Sequence, residues 1–398
     1  MNFQRIAMAA STLVLALFPL CAQADVRPVG QMRWRILGPA LPEGRASAVV
    51  GSDAHPLLYY AGTAGGGAWK TIDGGISWAN MTDSIHVASV GSIAVDPHDD
   101  QTLWLGAGET NPRNDVIPES GLYKSTNGGR SWNSVSFPSG AYGISRIVLD
   151  PKDAKHIIVG VLGNAFAPSS DRGVYVSFDG GATFAKSLYV SDQSGVSDIA
   201  VDPANANVVY AGIWHVLRRP WSMTSGSATD DGLYKSLDGG KTFTQVRGNG
   251  FPAAPIGRIG LAIAPSLPSR IYALVESREG VLWRSDDSGA TWKVQTKDSL
   301  ANQRPFYFSH LHVSPVQPNT VYAQSMLLAT SFDGGSKFRL SAYAVHSDLH
   351  DMWISSDGER MALAGDGGIS TSVNSGSTWS NSRSIPVGQI YRVGLSNT

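Results

Sequence analysis

Cysteine is almost missing from this chain of 398 residues: the one present is Cys21. Charge of one sign is missing too, since 31 Lys and Arg face 32 Asp and Glu, so no net field draws the protein onto phosphate backbones or anionic lipid. No apolar run reaches the roughly 20 residues that span a bilayer. The longest, Ile6 to Leu20, has 15. There is no P-loop, GxGxxG, HExxH, GxSxG or CxxC pattern, so nucleotide-binding, zinc-protease and serine-hydrolase chemistries lack a starting residue. What the chain does have is 44 Gly, 11 Trp and 42% hydrophobic residues, enough apolar material for a large core.

Residues 1–24 read as a secretory signal, with Arg5, the apolar run, and small residues Ala22 and Ala24 before a cleavage point at Asp25. Leu20 before Cys21 argues against a lipoprotein signal, which usually has a small residue there. The expected protein is periplasmic or secreted, and its 374 mature residues contain no cysteine. Disulfides, thiol catalysis and thiolate metal sites are thereby excluded.

Self-comparison finds one octapeptide seven times: TIDGGISW (71–78), STNGGRSW, SFDGGATF, SLDGGKTF, SDDSGATW, SFDGGSKF and SVNSGSTW (372–379). The third positions are Asp73, Asn127, Asp179, Asp238, Asp287, Asp333 and Asn374, at intervals of 54, 52, 59, 49, 46 and 41 residues. Asp or Asn can accept backbone N–H bonds within its own turn, and the following Gly takes positive φ without steric cost. A strand precedes each box, and the closing Trp or Phe can tuck between sheets. A second element, seen as GSIAVDP (91–97), SRIVLDP (145–151) and SDIAVDP (197–203), is a strand stopped by Pro. The unit is therefore strand A, Pro turn, strand B, variable loop, strand C, box, strand D, and its length suits one four-stranded blade. The expected fold is all-β: a seven-bladed β-propeller with one Asp-box per blade over 25–384, and a C-terminal strand, 385–398, that closes the ring near Met32 to Leu37 or begins a further repeat.

The octapeptide resembles the Asp-box, or BNR repeat, of sialidases, sortilin, two-propeller xyloglucanases and a photosystem assembly factor. The segments 60–75, 106–115, 304–315 and 346–355 are also similar to bacterial secreted BNR-repeat proteins described as glycosyl hydrolase or sortilin-like. The resemblance covers essentially the whole mature chain and implies a propeller. Two features depart from it. Ala64 stands where related xyloglucanases have an Asp in a T-D-x-G-G-A-Y-like segment, and the arginine-isoleucine-proline motif of sialidases is absent.

Strand order puts the boxes and Pro turns on one face and the B-to-C loops on the other. The box residues are expected to be structural, because repetition in every unit is a scaffold signature. Insertions at 107–120, 162–172 and 214–231 make the opposite face the expected working face. Its candidate ligand-binding residues are Asn111 and Arg113 in one polar loop, and Trp214, His215, Arg218, Arg219 and Trp221 in an aromatic and basic one. Either Trp can face a sugar or peptide, or pin the loop to the scaffold. His346 and His350 are further ligand-binding candidates: with Asp348 they share one side if their segment is extended, a spacing that suits a metal or an acid/base pair near the channel mouth, while satisfied histidines at a blade junction are the favoured reading. Arg45, Arg146 and Arg258, near the starts of A strands, are expected to line the same end of the channel.

Two functions follow. The first is a non-catalytic module that binds a glycan, a peptide or an envelope or extracellular protein, as a monomer, with no cofactor, metal or nucleic acid. The second is a glycoside hydrolase using two carboxylates from Glu109, Asp115 and Asp348. The two departures from the related enzymes favour the first.

Overall fold

The computed structural model describes residues 44–113, 116–138, 140–226, 231–380 and 385–388. The expected signal segment 1–24, the strand expected at Met32 to Leu37, Asp115 and the last ten residues lie outside them. Among the described residues the fold is all-β save one short 3-10 turn, Ser299–Ala301. No helix of the described residues is long and apolar enough to cross a membrane.

The described strands form seven antiparallel sheets: five of four strands, one of five and one of three. Successive strands pair in simple A-B-C-D order, as short turns require, the described strands of the seventh sheet being A, B and C, and the fourth sheet carrying one extra strand, Ser222–Ser225, off this path. The A strands are Ala46–Gly51, Val90–Asp96, Ile144–Asp150, Ser194–Val201, Ile259–Ile263, His310–Val313 and Leu349–Ile354. Each lies against the next, and the last lies against the first, so they surround a common axis in the manner of a β-propeller. The amide of Val49 in the first A strand donates to Asp351 Oδ2 in the last, at 3.0 Å.

Apolar clusters fill the spaces between neighbouring sheets. Leu58, Tyr60 and Ala68 of the first sheet meet Val90, Ile93, Leu103 and Leu105 of the second, together with its box residue Trp132. Phe184, Trp292 and Phe338, at the ends of later boxes, join the corresponding clusters. Between the seventh and first sheets, Ala362, Ala364 and Ile369 pack with Ala46, Val49 and Tyr59, and Ile385 is buried among them. Burial of this kind stabilises by about 25 cal/mol per Å² of apolar surface.

Each box closes on itself. In the third, Ser177 Oγ donates to Asp179 Oδ1 at 2.7 Å and accepts from the amide of Gly181 at 2.9 Å. Asp179 then accepts from the amide and the hydroxyl of Thr183, at 2.9 and 2.6 Å. Gly180 and Gly181 have φ of 75° and 87°, which glycine alone adopts freely. The Asn boxes keep this geometry with one bond reversed: Asn127 Nδ2 donates to Ser131 Oγ at 2.8 Å.

A second repeated detail lies at the inner strands. Register shifts beside Ser47, Gly91, Ser145, Ser197 and His350 mark a bulge at the same place in five A strands. Ser47 and Ser197 use it to bond a carbonyl of the next sheet, at 2.6 and 2.8 Å. The seventh sheet has a histidine there, and a bulge can re-aim a side chain toward a site.

Candidate functional site

The face opposite the boxes carries the B-to-C loops and the D-to-A connections, and their side chains converge on the axis. Near its mouth Arg45 pairs with Glu109, donates to the carbonyl of Asn111 at 3.2 Å, and lies 3.7 Å from Asp366. Its guanidinium also stacks over Tyr307 at 4.7 Å. Arg258 donates to Asn111 Oδ1 at 2.7 Å and to the carbonyl of Tyr307 at 2.9 Å, with His310 Nε2 at 3.1 Å. Deeper in, Arg146 is 2.8 Å from Asp198 and 3.6 Å from Asp351. The three arginines thus come from three different sheets and each is committed to partners. Burying a cation without such partners would cost several kcal/mol.

Asp366 occupies the turn after the seventh B strand, Met361–Gly365. Its Oδ1 accepts from His350 Nε2 at 2.8 Å, and its amide donates to the carbonyl of Asp348 at 3.0 Å. Burial works to raise the pKa of Asp366, but the bond from His350 and the charges of Arg45 and Arg113 hold it below the usual carboxylate value. Asp348 moves the other way: partial burial, then the neighbouring Asp366, push its pKa up, with Arg304 only partly offsetting them. His350 is wholly buried, and desolvation together with Arg45 drives its pKa down to about 3. It is therefore neutral near pH 7, and its bond to Asp366 requires the tautomer protonated at Nε2. Tyr307 and Phe308 pack against its ring and fix its orientation.

Not every expected ligand residue faces open space. Trp214 is 0% exposed; its Nε1 donates to Ser225 Oγ at 2.9 Å, and its ring lies under Arg258. The structure gives it the packing role rather than an open one, because the hairpin Val209–Arg219 and Ser222–Ser225 folds over it. Trp221, at the hairpin tip, is 83% exposed. Arg218 ties that hairpin to the second sheet's loop through the carbonyl of Arg113, at 3.3 Å. His215 is half-buried, with its amide on Asp231, and Arg219 is exposed. Asn111 is buried between Arg45 and Arg258. Glu109 is also buried; its carboxylate is held by Arg45 and does not face solvent.

The segment holding His346, Asp348 and His350 is not a continuous extended strand. Asp348 has φ of 65°, and the bulge follows at His350, so period-two alternation fails at both points. His350 turns to Asp366, whereas His346 is exposed and bonds the carbonyl of Ser347. Among the described residues no group of three or more His, Cys, Asp and Glu is arranged to hold a metal ion.

Two functional candidates escaped the sequence reading: Asp366 and Tyr307. Asp366 stands in a short turn rather than an insertion. Its signal is comparative: the residue after the B strand is Ala64, Gly108 and Leu162 in the first three sheets, and Asp366 in the seventh.

No protein-family model matches the chain. A xyloglucanase of Paenibacillus sp is 24% identical over 341 residues, 76% of this chain and 32% of the relative. A xyloglucanase of Hypocrea jecorina is 26% identical over 318 residues, 71% of this chain and 36% of the relative. The chain thus spans about a third of the length of the curated relatives it matches. Among solved structures, the GH74 xyloglucanase from Xanthomonas campestris superposes with a TM-score of 0.63 at 19% identity, covering 84% of this chain and 54% of the other. YCF48 from Cyanidioschyzon merolae superposes with a TM-score of 0.56 at 15% identity, covering 84% of this chain and 97% of the other. These likenesses establish the propeller fold. They also overturn the expectation of a non-catalytic binding module, because the sequence relatives are named as xyloglucanases; glycoside hydrolysis is the better reading.

Proposed function

We propose that this chain is an exported glycoside hydrolase on a seven-bladed, Asp-box propeller, acting on a xyloglucan-type polysaccharide. Asp348 and Asp366 are its working carboxylates. The observation that carries this reading is their opposite displacement: one acid is pushed toward its protonated form and its neighbour is held ionised, both partly exposed at one mouth of the axis. Pairs of carboxyl groups driven apart in this way divide acid and base roles in glycosidases.

In this scheme Asp348 protonates the departing glycosidic oxygen. Asp366, kept anionic by His350 and Arg45, stabilises the positive charge that grows on the sugar ring as that bond breaks, and accepts the proton of the water that adds to the anomeric carbon. Glu109 acts through Arg45 as a positioning residue. The carboxylate that the xyloglucanase resemblance leads one to expect at position 64 is missing, but Asp366 holds the matching place in the adjoining sheet. Ala64 donates its amide to the carbonyl of Arg45 at 3.0 Å, and Asp366 donates its amide to that of Asp348 at the same distance. Each acceptor is the residue just before an A strand.

The test is release of reducing ends from xyloglucan and a panel of other polysaccharides by the purified chain, with product masses read by mass spectrometry. Release from xyloglucan in preference to the rest is expected. No release from any of them between acid and neutral pH overturns the proposal.

A further inference from the structure

A cavity of about 670 Å³ opens on the same face as the acid pair, within the range of about 300–1,000 Å³ usual for small-ligand sites. Its walls come from the fifth sheet's B-to-C loop, the hairpin base at Ser225, and the connections around 253–257 and 299–305. Ile256, Val275 and Val281 give it apolar surface, while Glu276, Glu279, Asn302 and Ser225 give it hydrogen-bonding groups.

Glu276 holds the same place in its sheet as Asp366 does in the seventh. It follows the B strand Ile271–Val275, and its amide donates to the carbonyl of Arg258, the residue just before the A strand, at 2.9 Å. Its Oε2 accepts from Ser225 Oγ at 2.5 Å and from the Arg258 amide at 3.2 Å. Oε1 has no hydrogen-bond partner among the described residues. A side chain at Gly257 would run into this carboxylate, so the glycine makes the approach possible. Glu279 is fixed by the amide of Ala253, at 3.2 Å.

The cavity and the acid pair share a connecting segment. Asn302 and Pro305 line it, and the same connection delivers Arg304, whose charge acts on Asp348, and Tyr307, which stacks on Arg45. Arg258 likewise bounds Glu276 on one side and Asn111 on the other.

We infer that this cavity is a binding subsite for uncharged sugar residues of the chain being cleaved, an inference that rests on the hydrolase reading above. Carboxylates accept from sugar hydroxyls, and apolar walls suit the C–H faces of a pyranose. Two carboxylates against one guanidinium, Arg278, disfavour a uronic acid in the same space.

The experiment is calorimetric titration of the full chain carrying Asp348→Asn, so that ligand is not consumed. The probes are a xyloglucan heptasaccharide, an oligogalacturonide and trilysine. The heptasaccharide is expected to bind, about tenfold more weakly with Glu279→Gln and more weakly still with Ala253→Trp, which fills the cavity from an exposed position. The oligogalacturonide is expected not to bind. Unchanged heptasaccharide affinity in both variants, or binding of trilysine alone, overturns the subsite. Turnover by the wild type with a KM that Ala253→Trp leaves unchanged would sink the subsite and keep the hydrolase. Binding that Ala253→Trp abolishes, in a chain that releases no reducing ends, would sink the hydrolase and keep the subsite.

Discussion

Aspartates at the two ends of this propeller meet opposite fates. At the box face, Asp179 and Asp287 are solvent-exposed and Asp73 is partly so, yet their pKa values are drawn down to about 2, chiefly by hydroxyl and amide donors four residues further along their own turn. At the axis mouth, Asp348 is partly buried and pushed up, while Asp366 is held down by side chains brought from other parts of the ring. Local donors keep a carboxylate anionic down to about pH 2, and the same solution can recur in unit after unit. Distant partners make each carboxylate different from its neighbours, and that difference is what acid-base chemistry needs.

The largest effect that separates the two ends is on turnover. Asp348→Asn and Asp366→Asn are each expected to lower kcat on xyloglucan by about 10² to 10⁴-fold, the usual worth of a positioned acid or base. Asp73→Asn, at the far face, should leave kcat within twofold of the wild type, about 0.4 kcal/mol in barrier height. Initial rates of reducing-end release check all three. Equal losses at both ends would erase the distinction.

Next in size is the stability of long-range polar contacts. Arg172 is fully buried and donates to the carbonyls of Leu162, Asn164, Asp192 and Val216 at 2.6 to 3.3 Å. Arg172→Met strands these acceptors, and should cost about 3 kcal/mol or more in urea unfolding. Asp179→Ala loses only bonds at a wet surface, so its unfolding midpoint should move by a smaller amount in the same assay.

Acidification should separate the ends by pH window. Buried His310 and His350 and partly buried His312 have pKa values lowered by desolvation, that of His350 to about 3. The unfolded chain takes up these protons near pH 6.5 and the folded chain does not. Stability is therefore present above about pH 6.5 and is lost as pH falls from there toward the folded values. The box aspartates begin to contribute their loss only below about pH 3.9, continuing to about 2. Activity should follow a bell. It falls on the acid side as Asp366 gains its proton, below the ordinary Asp value, and on the alkaline side as Asp348 loses its own, above that value. Melting temperatures and rates across pH 2 to 9 on the order of every half unit would show these limbs in Asp348→Asn and wild type.

The ease of reading the sequence divides along the same line. Box turns, Pro-stopped strands and their order were legible because each is fixed by neighbours within eight or so residues, as Ser177, Asp179, Gly181 and Thr183 show. Strand order alone separated the box face from the face of the B-to-C loops. The pairing of acids was not. Glu109 looked available in its loop, but a partner 64 positions earlier, Arg45, takes its carboxylate. Asp366 stands in a short turn, and only the His350 bulge turns an imidazole toward it. Trp214 and Trp221 stand seven positions apart, and only the hairpin's fold over the first decides which is buried.

The smallest effect tests whether the box needs its charge at all. Asn already occupies two boxes: Asn127 accepts from the Ser131 amide at 3.0 Å through Oδ1 and donates to the Ser131 hydroxyl at 2.8 Å through Nδ2. Asp179 makes the same two contacts with Thr183, except that the hydroxyl donates. A hydroxyl rotor can reverse at little cost, because Thr offers both a donor and acceptor lone pairs. Asp179→Asn should therefore move the melting temperature at pH 7 by about 1 °C or less. At pH 2 to 3, where the aspartate begins to be protonated and the amide is not, the variant should equal or exceed the wild type. A clear loss at pH 7 would mean that the charge itself, acting beyond its own turn, holds the box, and the contrast between a self-contained face and a cooperative one would have to be redrawn.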